Sequence, residues 1–174
     1  MTPIYLDVET SGFSHQDAVL EVGAVATEGD AILDSFSMVC NPGEGVLMRP
    51  TLDDALRVNG LTREELAAAP PIEQVASFFR EWLAVFGASR LHAYNNQFDS
   101  RFLTPAPWRI NSLSWGACVM KTVACGSKYI KLRDAAVRFG LDWDTEQAHG
   151  ALYDAKMAHR VHRAFMKRNG MVRV

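Results

Sequence analysis

The sequence predicts a single α/β domain in which helices flank a mixed sheet. Three apolar segments follow one another at the N-terminus, and each has the length and composition of a strand. Helical patterns then alternate with one more short strand, an order typical of a sheet covered by helices. The chain has 174 residues, 48% of them apolar, which is enough for one domain whose core needs no disulfide or structural metal.

The three N-terminal segments predict an antiparallel arrangement. Residues 3–8 form a short apolar strand, residues 18–27 are rich in Val and Ala, and residues 32–40 alternate loosely between apolar and polar. Because residues 28–30 (Glu-Gly-Asp) supply a turn, the second and third segments are expected to pair as a hairpin. We therefore expect the first three strands of the sheet to be antiparallel.

Two short helices and one long helix are predicted next. Thr51-x-x-Asp54 and Thr62-x-x-Glu65 resemble capping boxes, in which a Thr and an acidic residue cap a helix start reciprocally. Pro71 takes a first-turn position of the long helix, which Gly87 would end. The apolar face of that helix is expected to consist of Val75, Phe78, Phe79, Trp82, Leu83 and Phe86.

The C-terminal half predicts one more strand and three helices. The strand covers residues 90–94. The helices, bounded by Pro or Gly, cover residues 96–103, 132–139 and about 151–168. The packing face of the last helix would consist of Ala155, Ala158, Val161 and Phe165.

Charge and cysteine content narrow the class of protein. A net charge of −2 argues against a protein that coats nucleic acid by bulk electrostatics, although a few nucleotides could still be held. No apolar run reaches the roughly 18 residues of a membrane span, and the N-terminus lacks the pattern of a signal peptide. Cys40, Cys118 and Cys125 include no C-x-x-C pair, so we expect reduced thiols in a cytoplasmic protein rather than a disulfide or zinc framework.

Asp7 and Glu9 lie two residues apart on the first predicted strand, so both carboxylates project from one face, roughly 6–7 Å apart along the chain. Two unpaired carboxylates on a buried strand repel each other and lose hydration unless a cation lies between them. A divalent cation with oxygen ligands, magnesium or manganese rather than zinc, would meet that need. Taken alone, however, such a pair is more often two solvated acids at a strand end.

A second cluster, residues 95–99 (Asn-Asn-Gln-Phe-Asp), begins where the fourth predicted strand ends. Ligands of open α/β sheets bind near such strand-to-helix transitions, so Asp99 could ligate a metal directly or through water. On its own, Asp99 is more simply explained as a first-turn acid that interacts favourably with the helix dipole.

A third cluster lies where the last predicted helix begins. Asp154 falls in the first or second turn of that helix, and His149 precedes it beside Gly150. A neutral imidazole near a metal can take a proton from a water nucleophile at neutral pH. Viewed singly, each of the two residues could equally be a surface side chain.

Two other patterns are interpreted as solvated helix surface. His159-x-x-His162 places two imidazoles on adjacent turns, as some metal sites require, but neither a Cys nor a third His accompanies them. Basic residues that could guide a phosphate backbone occur in the last helix and in the segment before it: Lys156, Arg160, Arg163, Lys167 and Arg168, and Lys121, Lys128, Lys131, Arg133 and Arg138.

Together the three acidic clusters resemble the motifs of the DEDDh branch of the DnaQ-like 3′–5′ exonucleases. Residues 7–12 resemble the first motif, Asp-x-Glu-Thr followed closely by Gly. Residues 95–103 resemble the second, an Asn shortly before Phe-Asp, and residues 149–155 resemble the third, His-x(4)-Asp followed by Ala. The resemblance covers residues 4–162 and implies one exonuclease domain over residues 1–174.

The resemblance implies a ribonuclease-H-like fold and a two-metal mechanism that releases nucleoside 5′-monophosphates one at a time. One Mg²⁺ ion, replaceable by Mn²⁺, would be held by Asp7, Glu9 and Asp154. A second would be held by Asp7 and, through water, by Asp99, while His149 would act as the general base. The two cations would provide positive charge that this slightly acidic chain lacks.

The resemblance also implies substrate contacts. The nucleic acid would contact Thr10, Gly12, Phe13, Asn59, Leu61, Asn95 and Phe102. Asn59 stands where many relatives have His, and its amide could still donate a hydrogen bond. Phe13 stands where Leu or Met is common, and it would either stack on the terminal base or belong to the core. Phe102 fits a core position better than a stacking position.

The implied partner is a nucleic acid with a free 3′ end, expected to be single-stranded, and DNA and RNA remain alternatives. A non-catalytic nucleic-acid-binding subunit is a rival, against which the clustered acids argue because they repel phosphate. A third interpretation is a proofreading subunit held by a polymerase in a replication or repair complex. The chain ends at Val174, soon after the last helix, which favours a stand-alone nuclease; a homodimer stays open.

Overall fold

The computed structural model describes residues 2–87, 90–111, 114–124 and 129–172. Its sheet has four strands in the order β3-β2-β1-β4. The bounds of the strands are β1 Pro3–Thr10, β2 Val19–Glu28, β3 Ala31–Val39 and β4 Arg90–Ala93. The helices of the described residues are α1 Glu44–Leu47, α2 Leu52–Asn59, α3 Arg63–Ala68, α4 Ile72–Val85, α5 Asn96–Leu103, α6 Val119–Val123, α7 Leu132–Arg138 and α8 Ala151–Arg168.

The predicted antiparallel start of the sheet is confirmed. β1 pairs antiparallel with β2, and β2 with β3, whereas β4 joins the other edge of β1 in parallel. Gly29 turns the chain between β2 and β3 with φ of 60°, a left-handed conformation that costs glycine little. β1 extends two residues beyond its predicted end at Val8, so Glu9 belongs to the paired strand.

Most helices lie where the periodicity predicts them, with one difference in capping. Thr62 forms the expected capping box with Glu65 at the start of α3. Thr51 precedes α2, but its hydroxyl makes no capping hydrogen bond because its backbone is already helical, so the predicted box with Asp54 is wrong. The four-residue α1 and the five-residue α6 were not predicted, because such short segments show no periodicity.

The core lies on both faces of the sheet, because the side chains of β1 alternate between them. Ile4 and Leu6 pack with Phe79 and Trp108 on the face covered by α4. Tyr5 packs with Val161 and other residues of α8 on the opposite face. Asp7 and Glu9 follow Tyr5 at spacings of two residues, so they share the face on which α8 lies.

Two predictions about helix surfaces need correction. Phe78 was expected on the apolar face of α4, but its side chain is 39% exposed. His159 and His162 were expected to be solvated, but they are only 2% and 8% exposed, because Tyr5 and the β2–β3 turn occupy the space beneath α8. The Tyr5 hydroxyl is hydrogen-bonded to His162 Nδ1 at 2.8 Å, and His159 Nε2 contacts the Gly29 carbonyl oxygen at 2.9 Å.

Several surface features follow from this packing. The expected packing face of α8 is confirmed, since Ala155, Ala158, Val161 and Phe165 are all buried. The basic residues Arg163 and Lys167 both form ion pairs with Asp30. Cys40 and Cys118 are free thiols, whereas Cys125 and Lys128 lie outside the described residues. Across the described residues, every helix is too short or too polar to cross a bilayer.

Candidate active site

Three carboxylates converge where β1 and α8 meet. Asp7 and Glu9 project from β1 toward α8, and Asp154 lies in the first turn of that helix. Carboxylate oxygens of Asp7, Glu9 and Asp154 lie within 4.8 Å of one another. Residues far apart in sequence thus form one cluster, because α8 packs directly on the face of β1 that carries the two strand acids.

Asp99 adjoins this cluster from α5, which begins just after β4. Its side chain is 1% exposed, and burial raises its pKa more than the backbone amides of Asp99 and Val8 lower it. Asp99 and Asp7 line the same groove. Asp99 is not part of the tight group of three within the described residues.

Burial raises the pKa of all four acids, and the charges of the other acids in the cluster raise it further for Asp7 and Glu9. Loss of hydration is the first cause for Asp7, whose pKa is raised well above its usual value, and the charge of Asp99 is the second. Burial and then the charge of Asp154 raise the pKa of Glu9 to about 9. Burial raises the pKa of Asp99 to about 8 and that of Asp154 to about 6. The ionised cluster therefore needs a compensating cation.

The donor atoms fit a hard divalent cation. Oδ1 of Asp99 and Oδ1 of Asp154 are buried and have no hydrogen-bond partner within the described part of the chain. Unpaired buried oxygens are costly, and metal ligation is one way in which proteins satisfy them. All four donors are carboxylates, which suit Mg²⁺ or Mn²⁺ better than softer metals. The cluster is therefore a candidate divalent-metal centre.

His149 lies at the entrance to α8, next to these acids. Its backbone adopts a left-handed conformation with φ of 67°, and its side chain is exposed. A backbone hydrogen bond from His149 and the positive charge of its imidazole both lower the pKa of Asp154, opposing the larger effect of burial. Because His149 lines both grooves that meet at the carboxylates, its imidazole can exchange a proton with a group bound there.

The first groove is a cavity of about 850 Å³ between the β1–β2 loop and α2. Its floor contains Asp7, Glu9 and Asp154, and its walls carry apolar as well as polar groups. A cavity of this size with a few charged groups at one end is suited to a nucleotide. The wall residues include Thr10, Gly12, Phe13, Arg49, Asp54, Ala55, Val58, Asn59 and Phe98.

Four predicted substrate contacts, Thr10, Gly12, Phe13 and Asn59, line this cavity. The Thr10 hydroxyl donates to the Gly12 carbonyl oxygen at 2.7 Å, which stabilises the turn after β1. Phe13 is 82% exposed, so the alternative that placed it in the core is wrong. Its ring lies 6.1 Å from that of Phe98, centroid to centroid, and the two rings form an apolar corner beside the acids.

Two residues that were predicted to contact the substrate, Phe102 and Leu61, do not line this cavity. Phe102 is 7% exposed and packs in the hydrophobic core, because it faces inward from α5, so its ring cannot stack on a base. Leu61 packs against a small cluster of Leu20, Leu52 and Leu66 and does not line the cavity. Phe102 is held in the core by α5, whereas Leu61 lies in the connection between α2 and α3, so neither side chain lines this cavity.

A second groove of about 610 Å³ reaches the acids from the other side. Asn95, the remaining predicted contact, lines this groove rather than the first one. Lys131 and Arg133, which the sequence suggested as ordinary surface, lie along it as well. Asp134 also lines this groove, so its wall carries charges of both signs. Further lining residues are Tyr94, Tyr129, Leu132 and Trp143.

Sequence reasoning missed most residues of α2 and the segment before it. Arg49 and Ala55 contribute to the first cavity, although neither belongs to a motif. Val58, which also lines it and is 60% exposed, begins residues 58–62, a segment that resembles a softer feature of the exonuclease family and was the one available signal. The sequence alone does not show that this helix faces the loop after β1.

Residues 4–162 match the family model RNase_T, described as Exonuclease. The PolC-type DNA polymerase III of Thermotoga maritima is 29% identical over 99% of this chain, and that of Bacillus subtilis is 31% identical over 89% of it. The chain spans only 13% and 11%, respectively, of the length of these two relatives.

Two solved structures illustrate the similarity in fold. The nuclease domain of 3'hExo, described as a DEDDh family member bound to rAMP, is 19% identical to this chain with a TM-score of 0.75. The match covers 97% of this chain and 92% of the 3'hExo chain. Exonuclease X, in complex with 5' overhanging duplex DNA, is 25% identical to this chain with a TM-score of 0.72. The match covers 96% of this chain and 92% of the exonuclease X chain. The predicted ribonuclease-H-like fold is confirmed by these superpositions.

Proposed function

This chain belongs to the RNase_T exonuclease family, and on that basis we propose that it is a metal-dependent 3′–5′ exonuclease acting on DNA or RNA. It hydrolyses phosphodiester bonds and releases nucleoside 5′-monophosphates from the 3′ end. The observation that carries the proposal is the convergence of Asp7, Glu9 and Asp154 within 4.8 Å where two grooves meet. Residues 1–174 act as one catalytic domain.

The carboxylates hold two divalent cations, Mg²⁺ with Mn²⁺ as a substitute. Asp7, Glu9 and Asp154 are the ligands of one, and their proximity supports this assignment. Asp7 and, through water, Asp99 are the ligands of the other, supported by the unpaired Oδ1 of Asp99. At such a centre, divalent cations supply a more acidic water and stabilise negative charge on the departing 3′ oxygen.

The protein's own residues bind the substrate and move the proton. His149 accepts the proton of the attacking water, a role supported by its exposure beside Asp154. Phe13 and Phe98 hold the terminal base in the first cavity, assisted by Thr10 and Asn59. Stacking on aromatic rings tolerates any base, which suits an enzyme that removes nucleotides in succession.

The preceding part of the strand lies in the second groove, beside Lys131 and Arg133. The two grooves join at the acids, so a single strand can pass from one to the other across the scissile phosphate. This path supports a preference for single-stranded 3′ ends. The preference for DNA or RNA follows from the relative rates at which the two strands are degraded.

The PolC-type relatives support a second candidate, a proofreading nuclease that works with a polymerase. This chain matches about one eighth of the Thermotoga maritima protein, which is the size expected of one domain within it. Both candidates hydrolyse phosphodiester bonds from the 3′ end. They differ in whether the nuclease acts on free strands or only together with a polymerase.

The test is a time course on 5′-labelled DNA and RNA strands of one sequence, with Mg²⁺ and with EDTA. Shortening from the 3′ end only with Mg²⁺ would support the proposed reaction, and the faster strand would identify the preferred sugar. A folded protein that leaves both free strands intact would contradict the stand-alone enzyme. Activity that then appears on adding a polymerase would favour the proofreading candidate.

A further inference from the structure

We infer that Glu21 on β2 is a positioning residue, which holds the start of α8 and thereby places Asp154 in the metal centre. The inference rests on the proposed function, since it assigns Asp154 to that centre. Glu21 belongs to none of the three motifs, and it is the acidic residue within an otherwise apolar stretch of β2. Its placement on the sheet is the first part of the argument.

Glu21 lies directly opposite Glu9 in the antiparallel pair of β1 and β2. Like charges at opposed positions are unfavourable, so Glu21 requires stabilising contacts of its own. Both of its oxygens have them: Oε2 accepts from the Ala151 backbone amide at 3.1 Å, and Oε1 accepts from the Ser37 hydroxyl at 3.3 Å. The carboxylate is therefore oriented toward α8.

Ala151 is the first residue of α8, and the preceding Gly150 has no side chain with which to cap the helix. The first amides of a helix have no partner within it and carry a partial positive charge. The Glu21 carboxylate satisfies one of these amides from a strand that lies 130 residues earlier. The start of α8 is thus tied to the sheet at a defined point.

Gly23 provides a second contact on the same face of β2, opposite Asp7. A Cβ at Gly23 would overlap the backbone of Ala151 and Leu152, so α8 touches the strand itself here. Glu21 and Gly23 together determine both the distance and the register of the first turn of α8. Each lies across from one of the metal-binding acids of β1.

Asp154 lies one turn beyond Ala151 and depends on this attachment. Its Oδ1 has no hydrogen-bond partner within the described residues, and the hydrogen bond to its carboxylate comes from the His149 backbone just before α8, so its position follows that of the helix start. A small shift of the helix start would therefore move Asp154 away from Asp7 and Glu9. Displacements of about 1 Å in such centres can cost about 100-fold in rate.

Glu21 does not act as a further ligand in this arrangement. Among the described residues, the carboxylate oxygens that lie within 4.8 Å of one another belong to Asp7, Glu9 and Asp154. Glu21 is not part of this group. The oxygens of Glu21 are engaged by Ala151 and Ser37 instead. The charge of Glu21 also raises the pKa of Asp7, Glu9 and Asp154, but its reach is the property that holds the start of α8.

The experiment compares Glu21→Gln, which keeps the reach but loses the charge, with Glu21→Asp, which keeps the charge but is shorter by one methylene. We expect Glu21→Asp to lower kcat and Mn²⁺ affinity about 10–100-fold, with KM for a single strand changed less than about threefold. Glu21→Gln should stay within about threefold of the wild type, because its amide oxygen can accept the same hydrogen bond. Hydrogen exchange at the Ala151 amide should accelerate in Glu21→Asp alone.

Glu28→Gln and Glu28→Asp, the same changes at the exposed end of β2, are the controls. A Glu21→Asp variant that keeps more activity and Mn²⁺ affinity than Glu21→Gln would overturn the inference in favour of a charge effect. Lower thermal stability with unchanged kcat and Mn²⁺ affinity would also overturn it, leaving a purely structural role. If the wild type degrades no strand, the proposed function fails, while Mn²⁺ binding by calorimetry and Ala151 exchange still test Glu21.

Discussion

Asp99 on α5 raises the pKa of Asp7 on β1 more than any other neighbouring charge does. The two residues lie 92 positions apart, and they meet because α5 follows β4, the strand that pairs in parallel with β1. Both are deprived of hydration, so neither can carry its charge without a nearby cation. A divalent cation held between them, as proposed above, would stabilise both charges.

Asp7 is expected to be indispensable, since it is a ligand of both proposed cations. Asp7→Asn should reduce turnover of a labelled single strand by at least about 1000-fold while the fold persists, because removal of one charge lessens repulsion among the remaining acids. Gel analysis with purified protein measures this, and circular dichroism checks the fold. Asp142→Asn, at an exposed position, is the control. Activity of Asp7→Asn near that of the control would refute the metal assignment.

His149 is expected to contribute to the rate and not to binding. His149→Ala should lower kcat by roughly 10²–10⁴-fold with little change in KM, the scale typical of a lost general base. Added imidazole should restore part of the rate if the side chain transfers a proton. A His149→Ala enzyme as fast as the wild type would mean that another group accepts the proton.

Phe13 is expected to hold the terminal base. Its ring is 82% exposed beside Phe98, so removing it should leave the fold unchanged. Phe13→Ala should weaken binding of a single strand by about 1–3 kcal/mol, as measured by fluorescence anisotropy in Ca²⁺. Val85→Ala, an equally exposed apolar position at the end of α4, is the control. Equal affinity in the two variants would remove Phe13 from the substrate site.

The buried His162 makes stability depend on pH on the acid side. Burial, followed by the charge of His92, lowers the pKa of His162 from 6.5 to about 4. The unfolded chain therefore binds a proton at this residue that the folded chain does not, so the contribution of His162 to stability falls as pH decreases from about 6.5 toward 4. The four buried carboxylates have raised pKa values and act in the opposite direction, so the contribution of His162, on the order of 3 kcal/mol, is the difference between the wild type and a variant without it, measured by unfolding in urea.

His162→Gln should lose this contribution, whereas His15→Ala at an exposed position should keep the pH dependence of the wild type. All three proteins are measured in EDTA, so that the buried carboxylates contribute equally in each and cancel in the difference. A slope in His162→Gln equal to that of the wild type would show that other groups bind the protons.

The strands and the long helices could be predicted because their signals are local. α5 and α8 begin and end where the periodic pattern and the flanking Gly and Pro residues indicate, since amphipathic spacing depends on neighbours within a few turns. The four carboxylates and His149 were recognisable from three spaced motifs, each of which is short and contiguous in sequence. The short α1 and α6 were missed, because four or five residues show no period.

What each side chain faces was much harder to predict. His159 and His162 have the sequence context of a solvated helix surface, yet α8 lies on the sheet with both of them beneath it, beside Tyr5. Phe13 and Phe102 have similar apolar character, yet one is exposed at the cavity and the other is buried in the core. Amino-acid type alone does not distinguish these cases.

By itself, the sequence determined the element order, the antiparallel start of the sheet and the identity of the acids that approach one another. The tertiary structure alone decided which predicted contacts reach the cavity, that α2 forms its wall, and that Glu21 supports the start of α8. The physical reason is that periodicity follows from backbone geometry within a segment, whereas burial and proximity follow from how distant segments pack. Glu21 and Ala151 meet only because α8 lies against β2 at Gly23.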